Sequence, residues 1–424
     1  MPTQSKFFSR GRVIDSGENL GRRVVLIYIV LIGLSMSLIP YSIDPFLPAF
    51  PAVGDFFGVP NGTVQASLTG VTIGVAMGQL ITGPLSDAFG RRPLLLLAIL
   101  GYGISAVTLF IAPNIEIFIL LRFFMGFFAA SADVVGRAII RDLFRGQAML
   151  QMLSKVFLIQ SLSPILGPII GSQLLGFGSW QLAFLCFGFF GLALGVVAWF
   201  TLVETLPVAR RRSSSVSGLI RGYTSVLKDR VYVGLMIYGS LQLSALFGYL
   251  NIVPFLYQDV YGLSVEEFGL WFAFNSFGLY LGVQFGGLMA RFFRAQWMLA
   301  VYSTIGTIAG LYLILSSGGN IVQAEIGFFM VVFVFGAPAT AIPTLALLNH
   351  GSEAGTAASL LGSASFILAS LMTGVYAMLS TTTTVDIGLL IFVFFGLSLV
   401  SLLVLVRPWK IPDLRKGLEQ EEAH

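Results

Sequence analysis

Long apolar stretches alternate with short polar intervals along the whole chain. A helix needs roughly 20 mainly apolar residues to cross a bilayer, and twelve stretches of about that length are present. They lie near residues 24–48, 63–85, 94–112, 116–136, 150–175, 181–203, 231–257, 266–290, 296–316, 323–347, 354–379 and 386–406. The pattern predicts an all-α polytopic membrane protein with 12 transmembrane helices.

One long polar interval divides the spans into two sets of six. The predicted regions are an N-terminal tail (1–23), a six-helix half (24–203), a linker (204–230), a second six-helix half (231–406) and a C-terminal tail (407–424). The linker is basic and Ser-rich, as a solvated tether would be; a membrane-surface helix over Leu219–Leu227 is the alternative. Spans one and seven begin near 24 and 231, an offset of about 207 residues. The segment GPLSDAFGR at 83–91 also matches GGLMARFFR at 286–294 at an offset of 203 residues, which supports duplicated halves.

Basic residues lie almost entirely on one side of this predicted topology. With a cytoplasmic N-terminus, every Lys and Arg except Lys155 and Arg122 falls in a cytoplasmic segment. The opposite loops carry only acidic charges, on Asp55, Glu116, Asp259, Glu266, Glu267, Glu325 and Asp386. Because cytoplasmic loops carry the excess of Lys and Arg, we expect both termini and the linker in the cytoplasm.

Composition excludes several classes of protein. Hydrophobic residues make up 56% of the chain and charged residues 10%, against about 25% charged in soluble domains. A single cysteine and two histidines exclude a disulfide framework and a His- or Cys-built metal centre. The net charge of +4 is spread over the cytoplasmic segments, so it does not indicate nucleic-acid binding. No phosphate-binding loop is present, and we expect no cofactor.

Two charged residues stand inside apolar spans. Asp44 lies within Leu26–Pro48, and Arg122 within Phe118–Ala132. A charge at membrane depth costs a few kcal/mol, so it is usually paired and functional. No other ionisable side chain falls clearly within a span, and both residues are predicted in the outer half of the bilayer. We predict that they approach within salt-bridge or single-water distance and couple transport to protons; a purely structural Arg122 is the alternative.

Residues 83–93, GPLSDAFGRRP, resemble the loop motif of the major facilitator superfamily. Gly90 allows a tight turn between two spans, and Asp87 has the charge to meet unpaired amides at a helix N-terminus. The resemblance implies a cytoplasmic latch in which, in the outward-open state, Asp87 caps span eleven near Gly355 and Arg91 pairs with Asp133 on span four. The predicted latch residues are Gly83, Asp87, Gly90, Arg91, Arg92 and Asp133.

Two further spans carry motifs of the same superfamily. Phe118–Gly126 looks like the span-four motif of its proton-driven members, in which the arginine is tied to proton movement. Gly167, Pro168 and Gly171 on span five resemble the antiporter motif, in which a Gly-Pro pair bends the helix and packs it closely against span eight. This combination favours export over uptake.

Other stretches resemble the Bcr/CflA group of drug exporters. They are IDPFLPAFP at 43–51, RAIIRDLF at 137–144, ETL at 204–206 and AGTAASLLG at 354–362. The group includes exporters of bicyclomycin, chloramphenicol and florfenicol. The resemblance implies the major facilitator fold, a bacterial inner-membrane location and a monomer that exchanges a small-molecule substrate for protons across the bilayer.

Polar and aromatic residues on several spans are candidates for a substrate cavity. They are Tyr41, Tyr238, Gln242, Tyr249 and Asn275. Asn and Gln also serve as hydrogen-bond partners between membrane helices, so this reading stays open.

We therefore expect a proton-coupled exporter of amphipathic small molecules, driven by the proton gradient. Export or uptake of a physiological metabolite or siderophore is the alternative. A membrane enzyme would need convergent His, Asp or Glu groups at one depth, which the pattern lacks. A scaffold or sensor would not need the latch, kink and intramembrane charges together.

Overall fold

The computed structural model describes residues 21–144, 146–211, 222–290, 292–339, 341–348, 350, 354–379 and 383–411. Nearly all of these residues are helical, which confirms the predicted all-α class. The chain divides into two compact units, Met1–Leu219 and Ile220–His424. The division falls inside the interval 204–230 that the polarity pattern assigns to a linker.

Besides a short 3₁₀ turn, Val208–Arg210, the described part of the N-terminal unit contains eight α-helices and one 3₁₀ segment. They are α1 (Arg22–Met36), α2 (Leu38–Ile43), the 3₁₀ segment (Asp44–Ala49), α3 (Phe50–Phe57), α4 (Asn61–Phe89), α5 (Arg91–Leu109), α6 (Ile115–Leu143), α7 (Gly146–Gly176) and α8 (Gln181–Thr201). The first predicted span, 24–48, is therefore broken into three pieces, and α3 follows it. Pro40, Pro45, Pro48 and Pro51 explain the break, because each removes a backbone N–H from the helical ladder.

Helices α4 and α6 make backbone contact along a stripe of glycines. A Cβ added at Gly74 would lie 2.0 Å from the carbonyl oxygen of Phe123, and one at Gly126 would lie 2.2 Å from that of Val71. Small residues allow membrane helices to approach this closely. The α4–α6 pair therefore forms a tightly packed framework within the N-terminal unit.

The C-terminal unit contains seven labelled helices. They are α9 (Arg230–Phe255), α10 (Val265–Met289), α11 (Ala295–Leu315), α12 (Ile321–Gly336), α13 (Ala341–Ala346), α14 (Ala354–Leu379) and α15 (Thr384–Ser401). Single π-helical turns, Leu256–Val260 and Leu402–Val406, extend α9 and α15. A short helical turn over 222–226 precedes α9 and overlaps part of the helix proposed for the linker; residues 219–221 lie outside the described part.

The glycine stripe recurs in the C-terminal unit, on α10 and α12. A Cβ at Gly282 would lie 2.0 Å from the carbonyl oxygen of Phe333, the same contact that Gly74 makes with Phe123. Gly74 and Gly282 are 208 residues apart, which agrees with the offset of about 207 between the predicted starts of spans one and seven and not with the 203 of the short sequence match. The reason is helix length. After its stripe α4 continues to Phe89, whereas α10 ends at Met289, only seven residues after Gly282.

Membrane-spanning helices account for nearly all of the described structure. Within the described residues, eleven helices are long and apolar enough to cross a bilayer. Helix α10 is long enough as well, at 25 residues, but glycines, Asn275 and Gln284 make it more polar. Together they correspond to the twelve predicted spans.

Candidate functional site

Asp44 lies at the first position of the 3₁₀ segment, where the first span is broken. The residue is 7% exposed. Among the described residues its carboxylate has no hydrogen-bond donor within bonding distance and no ion-pair partner. The prediction that this charge is buried at membrane depth is consistent with the structure, but the group stands there uncompensated.

The glycines of the span-five motif pack against Asp44 and its neighbour. A Cβ added at Gly171 would lie 2.0 Å from the carbonyl oxygen of Pro45, and one at Gly167 would lie 3.1 Å from the Cβ of Asp44. Pro168 lies inside α7, which runs without interruption from Gly146 to Gly176. The motif therefore brings α7 into close contact with the broken segment of the first span. Its predicted packing against span eight would join the two units and stays a prediction.

Arg122 is fully buried in the N-terminal unit, at 0% exposed. Its Nη1 donates a hydrogen bond to the carbonyl oxygen of Ser42. The guanidinium also stacks over the ring of Phe46, 4.5 Å from the ring centroid, and lies 5.6 Å from that of Phe184. The side chain is thus held by a backbone carbonyl and two aromatic faces.

The predicted direct pair between Arg122 and Asp44 is not formed in this structure. Among the described residues no carboxylate lies within ion-pair distance of Arg122, and its Nε and Nη2 have no hydrogen-bond partner. Ser42 lies in the last turn of α2, where carbonyl groups lack intrahelical donors. The guanidinium satisfies one of these carbonyls, two residues before Asp44, instead of the carboxylate.

The latch motif forms an ion-pair cluster at the α4–α5 junction. Arg91 Nη1 lies 2.6 Å from Asp87 Oδ1, and Arg91 Nε lies 2.9 Å from Asp142 Oδ2. Gly90 separates the two helices with a φ of 102°, which agrees with its predicted role in a tight turn. Gly83 and Asp87 belong to α4 itself, so most of the motif is helical rather than a loop.

The predicted pairing of Arg91 with Asp133 is not formed in this structure. Asp133 Oδ1 lies 3.1 Å from Arg137 Nη2, one turn along the same helix. Asp133 stands nine residues before Asp142 on α6, about 13 Å along the axis at 1.5 Å per residue. Arg91 reaches the acid at the end of α6 instead. The predicted capping of span eleven by Asp87 would join the two units and stays a prediction.

Glu204 completes this cluster from the exit of α8. Its Oε1 accepts hydrogen bonds from the backbone amides of Arg91 and Leu206, each at 2.9 Å. Arg92 Nε donates to the carbonyl oxygen of Leu202 at 2.8 Å. Glu204 thus accepts a hydrogen bond from an otherwise unpaired amide at the positive N-terminal end of α5 and fixes the exit of α8 there. The first residues of the predicted linker are therefore packed rather than a solvated tether.

Two candidate cavity residues in the C-terminal unit bind another helix instead. The Tyr238 hydroxyl donates to the carbonyl oxygen of Leu299 at 2.9 Å and accepts from Ser303 Oγ at 2.9 Å. Gln242 Nε2 donates to the same Ser303 Oγ at 3.3 Å. This geometry favours the interhelical alternative for both residues. Tyr41, in contrast, is half-buried in the N-terminal unit, with its ring 5.6 Å from that of Phe187.

Tyr249 and Asn275 belong to a network around another buried charge, Glu325. Asn275 Nδ2 lies 2.8 Å from Glu325 Oε2 and 3.2 Å from the Tyr249 hydroxyl. The Tyr257 hydroxyl donates to Glu325 Oε1. Glu325 is only 3% exposed, so its assignment to an external loop is wrong. The sequence offers one signal. Asn320 and Gln323 form a capping pair that marks the start of the helix, and Glu325 comes two residues after Gln323, which places it inside the helix.

Comparison with known proteins decides the family. The sequence model of the Major Facilitator Superfamily matches residues 25–374 of the chain. The chain belongs to the Major Facilitator Superfamily. It is therefore a multi-pass membrane transporter rather than an enzyme, and the family implies a small-molecule substrate and a lipid bilayer environment.

Relatives of this superfamily member include both uncharacterised and resistance proteins. It is 32% identical to the uncharacterised MFS-type transporter YdgK of Bacillus subtilis (strain 168), over 87% of this chain and 94% of that protein. It is 28% identical to a bicyclomycin resistance protein homolog of Haemophilus influenzae (strain ATCC 51907 / DSM 11121 / KW20 / Rd), over 85% and 92% respectively. The second match is consistent with the resemblance to the Bcr/CflA group.

The fold agrees with solved structures of the superfamily. The partially occluded inward-open structure of the xylose transporter XylE from E. coli superposes with a TM-score of 0.73 at 13% sequence identity. The match covers 93% of this chain and 99% of that one. At this identity the likeness shows the major facilitator fold alone.

Proposed function

We propose that this transporter exports amphipathic small molecules in exchange for protons, by alternating access. The bicyclomycin resistance homologue supports export of drug-like molecules, because the match covers most of both chains. The distribution of Lys and Arg supports a topology with both termini in the cytoplasm of a bacterial cell, in its inner membrane. The proton gradient supplies the energy, and no cofactor takes part.

The observation that carries the proposal is the environment of Asp44. Its carboxylate is buried at membrane depth, has no donor among the described residues and stands where the first span is broken. A proton bound to Asp44 removes the buried negative charge. The neutral acid and the carboxylate therefore favour different conformations of the protein around this residue. A ligand shifts a conformational equilibrium only through its different affinity for the two states, and a proton at Asp44 meets this condition.

Arg122 supplies the fixed positive charge of this site. In this structure its guanidinium binds the carbonyl oxygen of Ser42, two residues from Asp44. Nε and Nη2 have no partner among the described residues, so they are available to a carboxylate that moves towards them. We propose that Asp44 alternates between a carboxylate paired with Arg122 and a neutral acid separated from it.

Glycines of α7 link this charge to the antiporter motif. Gly171 and Gly167 fit against Pro45 and Asp44 so closely that no side chain could be added without movement. Any displacement of the broken segment therefore has to be followed by α7. This contact gives the span-five motif a role in transmitting the protonation state of Asp44 to a second helix.

The test is active transport by the Asp44→Asn variant in proteoliposomes with an imposed proton gradient. We expect bicyclomycin to accumulate against its gradient with the wild type and not with Asp44→Asn, at equal protein abundance. The matched control is Asp55→Asn, which makes the same change at an exposed position of α3 and should transport like the wild type. Concentrative transport by Asp44→Asn with wild-type pH dependence would exclude Asp44 as the coupling residue.

A further inference from the structure

We infer that Glu325 is a second proton-binding site, built entirely within the C-terminal unit. Its Oε2 accepts from Asn275 Nδ2 at 2.8 Å, and its Oε1 accepts from the Tyr257 hydroxyl. Asn275 lies on α10, Tyr257 on the π turn after α9, and Glu325 on α12. Three separate elements therefore converge on one carboxylate.

The surroundings of Glu325 contain neutral and aromatic groups only. Among the described residues no Lys, Arg or His lies within ion-pair distance. The ring of Tyr257 contacts those of Phe268 and Phe328, with centroids 5.7 and 6.2 Å apart. Tyr249 lies against the same Phe328, at 5.3 Å. A charged carboxylate in this environment has two hydrogen bonds and no counter-ion, and desolvation of such a charge is costly.

The titratable groups that face Glu325 are both tyrosines. Tyr249 and Tyr257 approach from α9 and its π turn. Helix α10 contributes the neutral Asn275, while its two glutamates at 266 and 267 are exposed at its first turn. From α11, Tyr312 packs two residues further along α12, near Gly327. None of these groups supplies a positive charge, so proton binding is the available way to neutralise the carboxylate.

Close packing identifies the ligand as a proton rather than a metal ion or an organic cation. Glu325, Tyr257, Asn275 and the aromatic rings are all almost completely buried. The N–H of Asn275 points at the carboxylate, at the place where a metal ion would have to sit. A proton needs no added volume and forms an O–H bond on one carboxylate oxygen.

Protonation changes the hydrogen bonds that hold the three elements together. A carboxylate only accepts hydrogen bonds, whereas a carboxylic acid also donates one. When Oε1 carries the proton, the Tyr257 hydroxyl has to turn from donor to acceptor or lose the bond. Tyr257 stands in a π turn, a kind of irregularity that is frequent at functional sites. A change in the protonation state of Glu325 thereby changes the hydrogen bonding of Tyr257 at the end of α9.

This inference deepens the proposed proton coupling, but its test does not depend on transport. Infrared difference spectra of the reconstituted protein, recorded from acidic to alkaline pH, detect the carbonyl stretch of neutral carboxylic acids. We expect separate components for Asp44 and Glu325. Glu325→Gln should lose one component that Asp44→Asn keeps. Glu116→Gln is the matched control, because it makes the same change at an exposed residue and should keep both.

A second variant keeps the test decisive if Glu325→Gln does not fold. Tyr257→Phe removes one of the two hydrogen bonds to Glu325, so the Glu325 component should move to higher frequency while the Asp44 component stays in place. Unchanged spectra for both Glu325→Gln and Tyr257→Phe would overturn the inference. So would a Glu325 component that disappears on adding sodium chloride but not choline chloride, because the site would then bind Na⁺. Loss of transport by Asp44→Asn bears only on the proposed function.

Discussion

Asp44 and Glu325 are both buried carboxylates, one in each unit, but their surroundings differ. Asp44 stands on a 3₁₀ segment against glycines and has no hydrogen-bond donor among the described residues. Glu325 stands on a regular helix and accepts bonds from Tyr257 and Asn275. The Asp44 carboxylate makes no bond that would stabilise the fold, so we assign it a functional role. The Glu325 carboxylate is part of the packing, so a change in its protonation would act directly on the hydrogen bonds from Tyr257 and Asn275.

The largest expected effect is the difference in thermal stability between Glu325→Ala and Asp44→Ala. Glu325→Ala leaves the Tyr257 hydroxyl without an acceptor, at a cost of about 1–3 kcal/mol for a buried group. It also removes the shortest bond of the Asn275 amide, which keeps only its longer contacts of 3.2 and 3.3 Å with the Tyr249 and Tyr257 hydroxyls. Asp44→Ala leaves no donor unpaired, and removal of an uncompensated buried charge offsets the lost packing. Thermal unfolding in detergent should therefore show a large loss for Glu325→Ala and a midpoint near the wild type for Asp44→Ala. Equal losses would contradict the comparison.

The next effect concerns the glycines beside Asp44. Gly171→Ala places a Cβ where the carbonyl oxygen of Pro45 lies, and overpacking of this kind typically costs about 1–3 kcal/mol. Gly396→Ala is the control, since a Cβ there meets nothing within 4 Å. Its helix should gain up to about 1 kcal/mol from the better propensity of alanine. Thermal unfolding should show opposite signs for the two variants; equal shifts would mean that α7 does not rest on the broken segment.

The smallest effect tests one hydrogen bond of Glu325. Tyr257→Phe removes the hydroxyl that donates to Oε1 and should cost about 1 kcal/mol in unfolding free energy. Tyr376→Phe provides the control, because the equally buried Tyr376 hydroxyl has no hydrogen-bond partner in the described structure. Its loss should not lower stability. If Tyr257→Phe and Tyr376→Phe have the same unfolding free energy, the hydrogen bond from Tyr257 to Glu325 does not stabilise the protein.

Sequence reasoning located Asp44 and Arg122 because a charge inside an apolar span is visible without a structure. It also identified Gly90, since the turn between two long helices needs its positive φ. It missed Glu325 because this residue lies only one turn inside α12, where hydropathy does not distinguish a loop from a helix end. Which carboxylate a long arginine reaches also depends on helix length, so Arg91 was paired with Asp133 instead of Asp142.

The short sequence match equates positions of the two units that lie five residues (208 − 203) away from those that packing equates. The match of 83–91 with 286–294 rested on a few identical residues near the ends of two helices. Packing instead equates Gly74 with Gly282, because both leave room for a carbonyl oxygen of the facing helix. Helix α4 then runs eight residues further past its stripe than α10 does. That extension carries the latch, for which α10 has no counterpart.

The contact of backbone on backbone in the two glycine stripes has a mechanical meaning. Where a carbonyl oxygen occupies the place of a Cβ, neither helix is able to roll or slide without a collision. The α4–α6 and α10–α12 pairs should therefore move as rigid rods. Bending is left to the places where the α-helical ladder is interrupted, among them the 3₁₀ segment Asp44–Ala49 and the π turn Leu256–Val260. Asp44 stands in the first of these interruptions, and Tyr257, which donates to Glu325, stands in the second. A change in the charge of either carboxylate would therefore act next to a place where a helix is able to bend.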